Sequence, residues 1–422
     1  MLGRKSLAVV ALTGALSLAA ACGGGGSGGG GGSGTAGANG KGPLKLGYVL
    51  PQTGQLAYLG PPQIEAAKYA AKTINDAGGV RGQKIPALVG ADESDQAATA
   101  NQSADRVLSA GVKAVIGAAA SGMSLAIIDK ITGANVVQCS GSNTAPTFTT
   151  YKDNGYYIRT APSDALQGPV LADTIVADGH TKVAITARAD DYGKGLEQAT
   201  AKALKQAGAQ VVLADTYDPQ TKDFSTVAQK VADTKPDAAV VIAFEEGSQI
   251  IKNLIESGAG PDKIGVYGAD GLRSEELGKL VDKKNPGIIS GMKGTAPASA
   301  KNEQFTSSLK KFAPKLKELQ FAPQVFDCVN VIALAAEEAK STDPTVFKKH
   351  LVDVTEGGAK CTSYADCKKL VDAGKDVDYD GASGPVDFTK VGEPNTAQIE
   401  VYGYDKKGDL HTLKTVTSKP SG

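Results

Sequence analysis

The chain has 422 residues, of which 41% are hydrophobic and 21% charged, so it is long enough for two folded domains and too apolar to be disordered throughout. Lys and Arg together number 45, as do Asp and Glu, and this zero net charge argues against a nucleic-acid partner or a general attraction to anionic membranes. Trp is absent and aromatic residues make up only 5%, which argues against base stacking or an aromatic carbohydrate platform.

The chain begins with the pattern of an export signal, which we place at residues 1–21. Two basic residues precede an apolar run from Leu7 to Ala21, and this run is shorter than the roughly 20 residues that a membrane-spanning helix needs. The stretch LAAAC resembles the lipobox of bacterial lipoproteins, so we expect Cys22 to be acylated and to become the N-terminus. Ordinary signal-peptidase cleavage at Ala19–Ala21 is the alternative.

A Gly/Ser-rich segment follows the cysteine, and residues 22–43 are interpreted as a lipidated cysteine with a tether. The segment after Cys22 carries a single charged residue, Lys41, and has too little apolar surface to order itself. A tether of this kind favours the anchored form, in which a folded domain stays close to a membrane that it contacts only through the lipid.

From Leu44 onward, short β-branched runs alternate with longer Ala-rich segments, which is typical of parallel sheets covered by helices. The predicted strands are, in chain order, LKLGYVL, KIPALVG, KAVIGA, ANVVQC, TKVAITA, AQVVLAD, DAAVVIAF and KIGVYG. So many strands exceed the common size of one sheet, and we therefore predict two α/β lobes. The break between the lobes is expected near Thr160–Asp164.

The carboxyl ends of the predicted strands carry the candidate binding residues, because open parallel sheets hold ligands at that edge. In the first lobe the candidates are hydroxyl side chains, Ser121, Ser142 and Thr144. In the second lobe the candidates are carboxylates, Glu245, Glu246 and Asp270. Hydroxyls and helix N-terminal amides on one side and acids on the other would hold a zwitterion, with its carboxylate on the first lobe and its ammonium on the second.

Each of these residues also has a simpler structural interpretation. Ser and Thr at helix starts are usually caps, and Glu245 and Glu246 could complement a helix dipole. Tyr58 and Tyr192, which also follow predicted strands, could stack over a ligand or cover a helix start. It is the combination of the residues that favours a binding site.

From about Leu44 to about Leu413 the chain resembles the type I periplasmic binding proteins of the branched-chain amino acid receptor group, the extracellular substrate receptors of ABC importers. The resemblance rests on PQTGQLAYLGPPQIEAAKYAAKTINDAGGVRGQKI, RTAPSDALQG and DDYGKGL. It implies two Rossmann-like α/β lobes with parallel sheets, joined by three crossovers, which close on a ligand like a Venus flytrap. The expected N-terminal lobe is 44–162 plus 294–387, and the expected C-terminal lobe is 163–293 plus 388–422.

The resemblance also implies roles for individual residues. Tyr58 is similar to a tyrosine that lines the cleft, and Ser121 and Thr144 are similar to residues that bind the ligand carboxylate and ammonium respectively. Tyr192 matches an aromatic from the second lobe. Asp270 lies where an acid pairs with the ammonium, a position that is often glutamate in the family.

One departure from the family pattern bears on the ligand. The second-lobe aromatic that the family usually has near a strand end is expected to be replaced here by Glu245 or Glu246. An acid is costly to leave unpaired when a cleft closes, so this departure favours a polar or cationic ligand side chain over an aliphatic one.

With Cys22 assigned to the lipid, four of the 5 cysteines remain, and an even number in an exported protein permits disulfides. Cys361 and Cys367 are expected to pair with each other. Cys139 and Cys328 are then expected to form a second bridge across the first lobe, with buried free thiols as the alternative. No Cys-x-x-Cys motif or neighbouring His accompanies them, so we expect no metal and no cofactor.

The sequence therefore predicts a protein that is not an enzyme but a receptor, lipid-anchored at the extracellular face of the cell membrane. We expect a monomer that binds an amino acid or a related amide and presents it to an ABC permease. The three histidines share no motif, and no nucleophile has a visible base. The alternatives are a secreted hydrolase that uses Asp270 with Glu245 or Glu246 as acid and base, and a sensor that binds an amide or urea.

Overall fold

The structure is a computed structural model and describes residues 40–298 and 302–419. The expected signal segment, Cys22 and most of the expected tether lie outside these residues. Helices and strands alternate along the described chain as the sequence predicts.

The strands of the described residues are β1 (Leu46–Leu50), β2 (Val89–Asp92), β3 (Ala114–Gly117), β4 (Val137–Ser140), β5 (Tyr157–Arg159), β6 (Lys182–Arg188), β7 (Gln210–Tyr217), β8 (Ala238–Ile242), β9 (Gly265–Gly268), β10 (Lys293–Pro297), β11 (Ala359–Cys361), β12 (Val377–Gly381), β13 (Gly384–Pro385), β14 (Ala397–Tyr404) and β15 (Leu410–Ser418).

The helices are α1 (Gly60–Asp76), α2 (Ala97–Ser109), α3 (Ser121–Gly133), α4 (Asp164–Ala177), α5 (Asp191–Gln206), α6 (Ser225–Asp233), α7 (Gly247–Glu256), α8 (Leu277–Val281), α9 (Glu303–Phe312), α10 (Ala322–Glu338), α11 (Pro344–Phe347) and α12 (Tyr364–Asp372). Within the described ranges, none of these helices combines the length and the apolar character needed to cross a bilayer.

The first lobe is built on five parallel strands in the spatial order β2-β1-β3-β4-β5. β3 and β4 are buried along their whole length because helices cover both faces of the sheet. β2 begins only at Val89, near the end of the predicted run KIPALVG. The earlier part of that run contains Pro86, which has no N–H to donate to a neighbouring strand.

α10 returns to the first lobe late in the sequence and packs against α1, β3 and β4. It is buried around almost its whole circumference, as its Ala-rich and Val-rich sequence favours. A disulfide joins Cys139 of β4 to Cys328 of α10, with a Cα–Cα distance of 5.9 Å. A second disulfide joins Cys361 and Cys367, with a Cα–Cα distance of 5.3 Å. Both predicted pairs are confirmed.

The second lobe is built on seven strands in the order β15-β14-β10-β9-β8-β6-β7. β6 to β10 are parallel, whereas β14 runs antiparallel to β10 and β15 runs antiparallel to β14. α4 begins this lobe and packs against α5, β10 and β14. Its N-cap is Ser163, whose hydroxyl accepts a hydrogen bond from the Ala165 amide.

The chain passes between the lobes three times, as expected: before α4, after β10 and before β14. The expected boundary at residue 294 lies inside β10, which pairs with β9 and β14, so the second lobe extends to Pro297. The expected boundary at residue 388 is also too early. Glu393 still accepts hydrogen bonds from Thr149 (3.0 Å) and Arg159 (2.9 Å) of the first lobe, and β14 begins only at Ala397.

Candidate functional site

The two lobes are in contact around the carboxyl ends of their strands, through the loop that follows β1. The Tyr58 hydroxyl donates to the Gly271 carbonyl of the second lobe at 2.8 Å. Gln55 Nε2 donates to the Pro219 carbonyl at 2.8 Å, and the Glu245 amide donates to the Gln55 carbonyl at 3.3 Å. These bonds join one lobe to the other, so the structure is in a closed conformation.

The first-lobe wall of the cleft presents hydroxyls and amides. Ser121 is the first residue of α3, and its buried hydroxyl accepts from the Ala145 amide at 3.3 Å. The first amides of a helix have no carbonyl partner within it, so the start of α3 offers free donors beside this hydroxyl. Thr144 is 1% exposed, and its Oγ1 has no hydrogen-bond partner among the described residues.

Ser142 is brought to the same wall but faces inward. Its Oγ lies 3.0 Å from Gln63 Oε1 and 3.1 Å from the Ala119 carbonyl oxygen. The hydroxyl proton is therefore used within the first lobe, and Ser142 supports the loop after β4 instead of presenting a free donor to the cleft.

The second-lobe wall presents Asp270, which follows β9 and is 4% exposed. Its Oδ1 accepts from the Tyr192 hydroxyl at 2.9 Å and from Gln167 Nε2 at 2.9 Å. The Tyr192 hydroxyl also accepts from the Gly271 amide at 3.1 Å, which fixes the direction of its proton toward the carboxylate. Burial raises the pKa of Asp270 to about 6, although these hydrogen bonds lower it.

Asp164 is a further carboxylate of the site, and the sequence interpretation did not select it. It is the first residue of α4, at the first crossover, and its amide donates to the Thr144 carbonyl at 2.7 Å. The side chain is 0% exposed, and neither carboxylate oxygen meets hydrogen-bond geometry with a described residue, although the nearby Thr144 hydroxyl lowers the pKa of this carboxyl. Burial and, after it, the negative charge of Asp270 raise the pKa of Asp164 well above its usual value.

The only sequence signal for Asp164 was an acid within RTAPSDALQG, directly after the helix cap Ser163. An acid at that position is common simply because it complements the helix dipole. Its burial against Thr144 and Asp270 arises from the crossover and could not be deduced from local spacing.

Neither Glu245 nor Glu246 is the buried, unpaired carboxylate that the sequence predicts. Glu245 is exposed to solvent. Glu246 is buried, but its Oε1 accepts from Arg188 at 3.1 Å and from the Tyr217 hydroxyl at 2.9 Å. Because Arg188 pairs with this carboxylate, Glu246 is not the unpaired acid that was expected, and it gives no reason to favour a cationic ligand side chain.

An aromatic residue, Phe244, does lie near this strand end of the second lobe. Its ring stacks on Tyr192, with 5.4 Å between centroids and 16° between planes. β8 ends at Ile242, so Phe244 lies in the loop immediately after the strand, one residue before Glu245. The sequence interpretation treated the phenylalanine as part of the strand and therefore missed it.

The geometry also bears on metal binding. Within residues 40–298 and 302–419, one carboxylate group has metal-like spacing, formed by Asp378, Asp380 and Asp387. Lys360 Nζ lies 2.9 Å, 2.9 Å and 3.8 Å from these three side chains respectively, so an ammonium already occupies the position that a cation would take.

Comparison with known proteins decides the family. Residues 43–409, most of the chain, match the family model described as "Periplasmic binding protein". The chain belongs to the periplasmic binding protein family. Its resemblance to the type I, branched-chain amino acid group is confirmed by a relative named Leu/Ile/Val-binding protein homolog 3 from Brucella melitensis. That periplasmic binding protein is 25% identical over 367 residues, which cover 86% of this chain and 91% of the relative.

Two solved periplasmic binding proteins show the same fold. A leucine-binding protein from Thermotoga maritima has a TM-score of 0.74 at 20% identity, covering 88% of this chain and 98% of its own. A branched-chain amino acid transporter substrate-binding protein from Streptococcus pneumoniae, solved with isoleucine, has a TM-score of 0.71 at 22% identity, covering 90% of this chain and 100% of its own. The two-lobed architecture predicted from the sequence is thereby confirmed, and the family's role is substrate binding.

Proposed function

We propose that the chain binds an α-amino acid in the closed cleft and delivers it to an ABC permease. The observation that carries the proposal is the group of buried acceptors formed by Thr144, Asp164 and Asp270. An α-ammonium has three N–H donors, and these three side chains would accept one each. Neither carboxylate forms an ion pair with any described residue, so the ligand would supply the positive charge.

The ligand carboxylate would bind at the first-lobe wall. The Ser121 hydroxyl and the first amides of α3 are donors at the positive end of a 13-residue helix. A zwitterion would therefore place each charged group against its complement. The Tyr58 and Tyr192 rings, together with Phe244, would line the space between the two ends.

An apolar ligand side chain fits the surroundings better than a cationic one. A cavity of about 200 Å³ lies beside Tyr58 and Phe244 and has apolar walls from Leu272 and Leu277, and it is also bordered by Glu245 and Glu276, whose side chains are exposed to solvent. Glu246, whose charge was the reason to expect a cationic side chain, is paired with Arg188. We therefore propose an aliphatic or branched-chain amino acid, as the names of the relatives also suggest.

The proposal is tested by removing one charged group of the ligand at a time. Binding of L-leucine, 3-methylbutylamine and 4-methylpentanoate is measured by isothermal titration calorimetry on the unaltered chain. We expect both analogues to bind at least about 100-fold more weakly than L-leucine, because each leaves a buried charged partner unmatched. Binding of 4-methylpentanoate as tight as that of L-leucine would contradict the ammonium site, and urea and acetamide serve as probes for the amide alternative.

The hydrolase alternative loses the second carboxylate that the sequence assigned to it. It needed Glu245 or Glu246 close to Asp270, but Glu245 is exposed and Glu246 is bonded to Arg188. A binding protein returns its ligand unchanged, so recovery of intact acetamide and urea, whose C–N bonds a hydrolase could cleave, after prolonged incubation with the protein supports the receptor over the hydrolase.

We further propose that Cys22 carries the lipid that holds the receptor at the extracellular face of the membrane. The supporting observations are the export-signal pattern before Cys22 and the Gly/Ser-rich segment after it. Mass spectrometry of the protein expressed in its own host is expected to find a diacylated N-terminal Cys22, and an unmodified cysteine or cleavage elsewhere would contradict the anchor.

A further inference from the structure

Arg188, the last residue of β6, contacts both lobes. Its side chain is 1% exposed and forms ion pairs with Asp190 and Glu246 of its own lobe. Its Nη2 also donates to both carboxylate oxygens of Asp95 in the first lobe, at 3.1 Å and 2.8 Å. This bidentate contact joins the lobes through side-chain charges, whereas the bonds made by Tyr58 and Gln55 end on backbone carbonyls.

The backbone around Asp95 is shaped to hold this carboxylate in place. Ser94 and Asp95 both have left-handed φ values, 57° and 49°, which are costly for residues other than glycine. The Asp92 carboxylate fixes the turn by accepting from the Ser94 amide at 2.9 Å. Gly54 packs against it so closely that an added Cβ would lie 2.7 Å from the Ser94 carbonyl oxygen. The surrounding structure thus stabilises an unfavourable turn that places Asp95 against the second lobe.

Arg188 is also connected to the ammonium end of the cleft. Its guanidinium lies 3.5 Å from the centre of the Phe244 ring. Phe244 stacks on Tyr192, and the Tyr192 hydroxyl donates to Asp270 at 2.9 Å. A shift of Arg188 would therefore be transmitted through two aromatic rings to the carboxylate proposed to bind the ligand.

We propose that Asp95 and Arg188 form a latch that engages when the lobes close and that slows ligand release. The latch rests on the proposed function, since it assumes that the cleft closes over a ligand. Arg188 is a positioning residue, because it acts on the site through Phe244 and Tyr192 and does not touch the ligand itself.

The latch is built to be weak. When the lobes separate, Arg188 keeps Asp190 and Glu246 as partners, so its charge is never left alone. Burial disfavours the charged form of Arg188, but the carboxylates outweigh it and raise the pKa of the guanidinium. Burial likewise raises the pKa of Asp95 although Arg188 faces it. Arg188 thus offsets the cost of burying Asp95 only in part, so separating the pair is not prohibitive and ligand release is permitted.

The test compares Asp95→Asn with Glu246→Gln, which removes a charge from the same guanidinium within one lobe. Association and dissociation of L-leucine are followed by stopped-flow tyrosine fluorescence. We expect Asp95→Asn to raise the dissociation rate constant about tenfold with little change in association, because the pair forms only after encounter. We expect Glu246→Gln to change the dissociation rate constant much less. Melting temperatures near that of the unaltered protein verify folding of both variants.

The double variant Asp95→Asn with Arg188→Gln is compared with each single variant. We expect its dissociation rate constant to increase by less than the product of the two single-variant increases, because both changes break the same contact. Equal dissociation rate constants for Asp95→Asn and the unaltered protein overturn the latch. If L-leucine does not bind the unaltered protein, the proposed ligand fails, and the latch is tested without it, by distances between spin labels placed on the two lobes. The closed fraction is then expected to be smaller for Asp95→Asn than for Glu246→Gln, and equal fractions overturn the latch.

Discussion

Two groups of carboxylates, all buried except the half-buried Asp190, lie where the lobes meet and differ in whether the protein supplies a cation. Asp95, Asp190 and Glu246 share the guanidinium of Arg188. Asp164 and Asp270 are as deeply buried, yet neither forms an ion pair within residues 40–298 and 302–419. A buried carboxylate is stable as an anion only when something compensates its charge. The charge of the first group is therefore compensated by Arg188, whereas the charge of the second group would be compensated by the cation that a ligand brings.

The sharpest test of this comparison neutralises one acid from each group. We expect Asp270→Asn to weaken L-leucine binding about 100-fold, because the ammonium would be buried without its charged partner. The matched change Glu246→Gln is expected to weaken binding less than about threefold, since Glu246 bonds to Arg188 and Tyr217. Calorimetry on both variants measures the ratio, and similar losses for the two would remove the distinction between the groups.

A smaller effect is expected from Asp164→Asn. The ammonium keeps Asp270 and Thr144 in this variant, so we expect binding to weaken about tenfold. We also expect the ligand-free variant to melt at a higher temperature than the unaltered protein, because a buried acid without hydrogen-bond partners is removed. Isothermal titration calorimetry measures the affinity of this variant, and thermal melting measures its ligand-free stability. Unchanged affinity would exclude Asp164 from the ammonium site.

The smallest effect concerns the pH dependence of ligand-free stability. The pKa of Asp270 is raised to about 6 and that of Asp164 is raised well above its usual value, both chiefly by burial, so the folded state binds protons that the unfolded state has released. Their contribution to stability is full below about pH 4 and is lost as pH rises through the folded pKa values. The melting temperature is therefore expected to fall by about 3 °C from about pH 4 to about pH 7 through these groups.

Two other buried acids need a control in that experiment, since burial also raises the pKa of Glu93 to about 8 and that of Asp327 to about 6. Scanning calorimetry of an Asp164→Asn and Asp270→Asn double variant separates the contributions, because this variant keeps both other acids. Its melting temperature should decline less with pH than that of the unaltered protein. Identical slopes would show that the cleft acids carry ordinary pKa values.

The fold was largely predictable because its signals are local. Alternating β-branched and Ala-rich segments indicate the strands and helices wherever they occur. β8 lies within the predicted run DAAVVIAF, and β6 overlaps the predicted run TKVAITA and extends one residue beyond it, to Arg188. The lobe boundaries were less accurate, because β10 is a short Gly-containing and Pro-containing strand whose partners, β9 and β14, are distant in sequence.

The site was predictable only in part. Residues directly after strands, such as Ser121 and Asp270, were placed in the cleft from strand order alone, and their roles as ligand contacts stay a prediction. Glu246 was misassigned because its partner Arg188 lies 58 positions earlier, on a different strand end. Asp164 was missed because a buried acid and an ordinary first-turn acid have the same local sequence. Pairing and burial are properties of the assembled fold.

The disulfide between Cys139 and Cys328 constrains the order in which parts of the molecule are assembled. Its two cysteines are separated by 189 positions, and the chain builds most of the second lobe between them. As the chain is synthesised, Cys139 can therefore pair with Cys328 only after the intervening lobe has emerged. The second lobe is continuous from α4 to β10 and can begin to fold before the C-terminal part of the first lobe has been synthesised. Formation of the disulfide then links β4 in the N-terminal part of the first lobe to α10 in its C-terminal part.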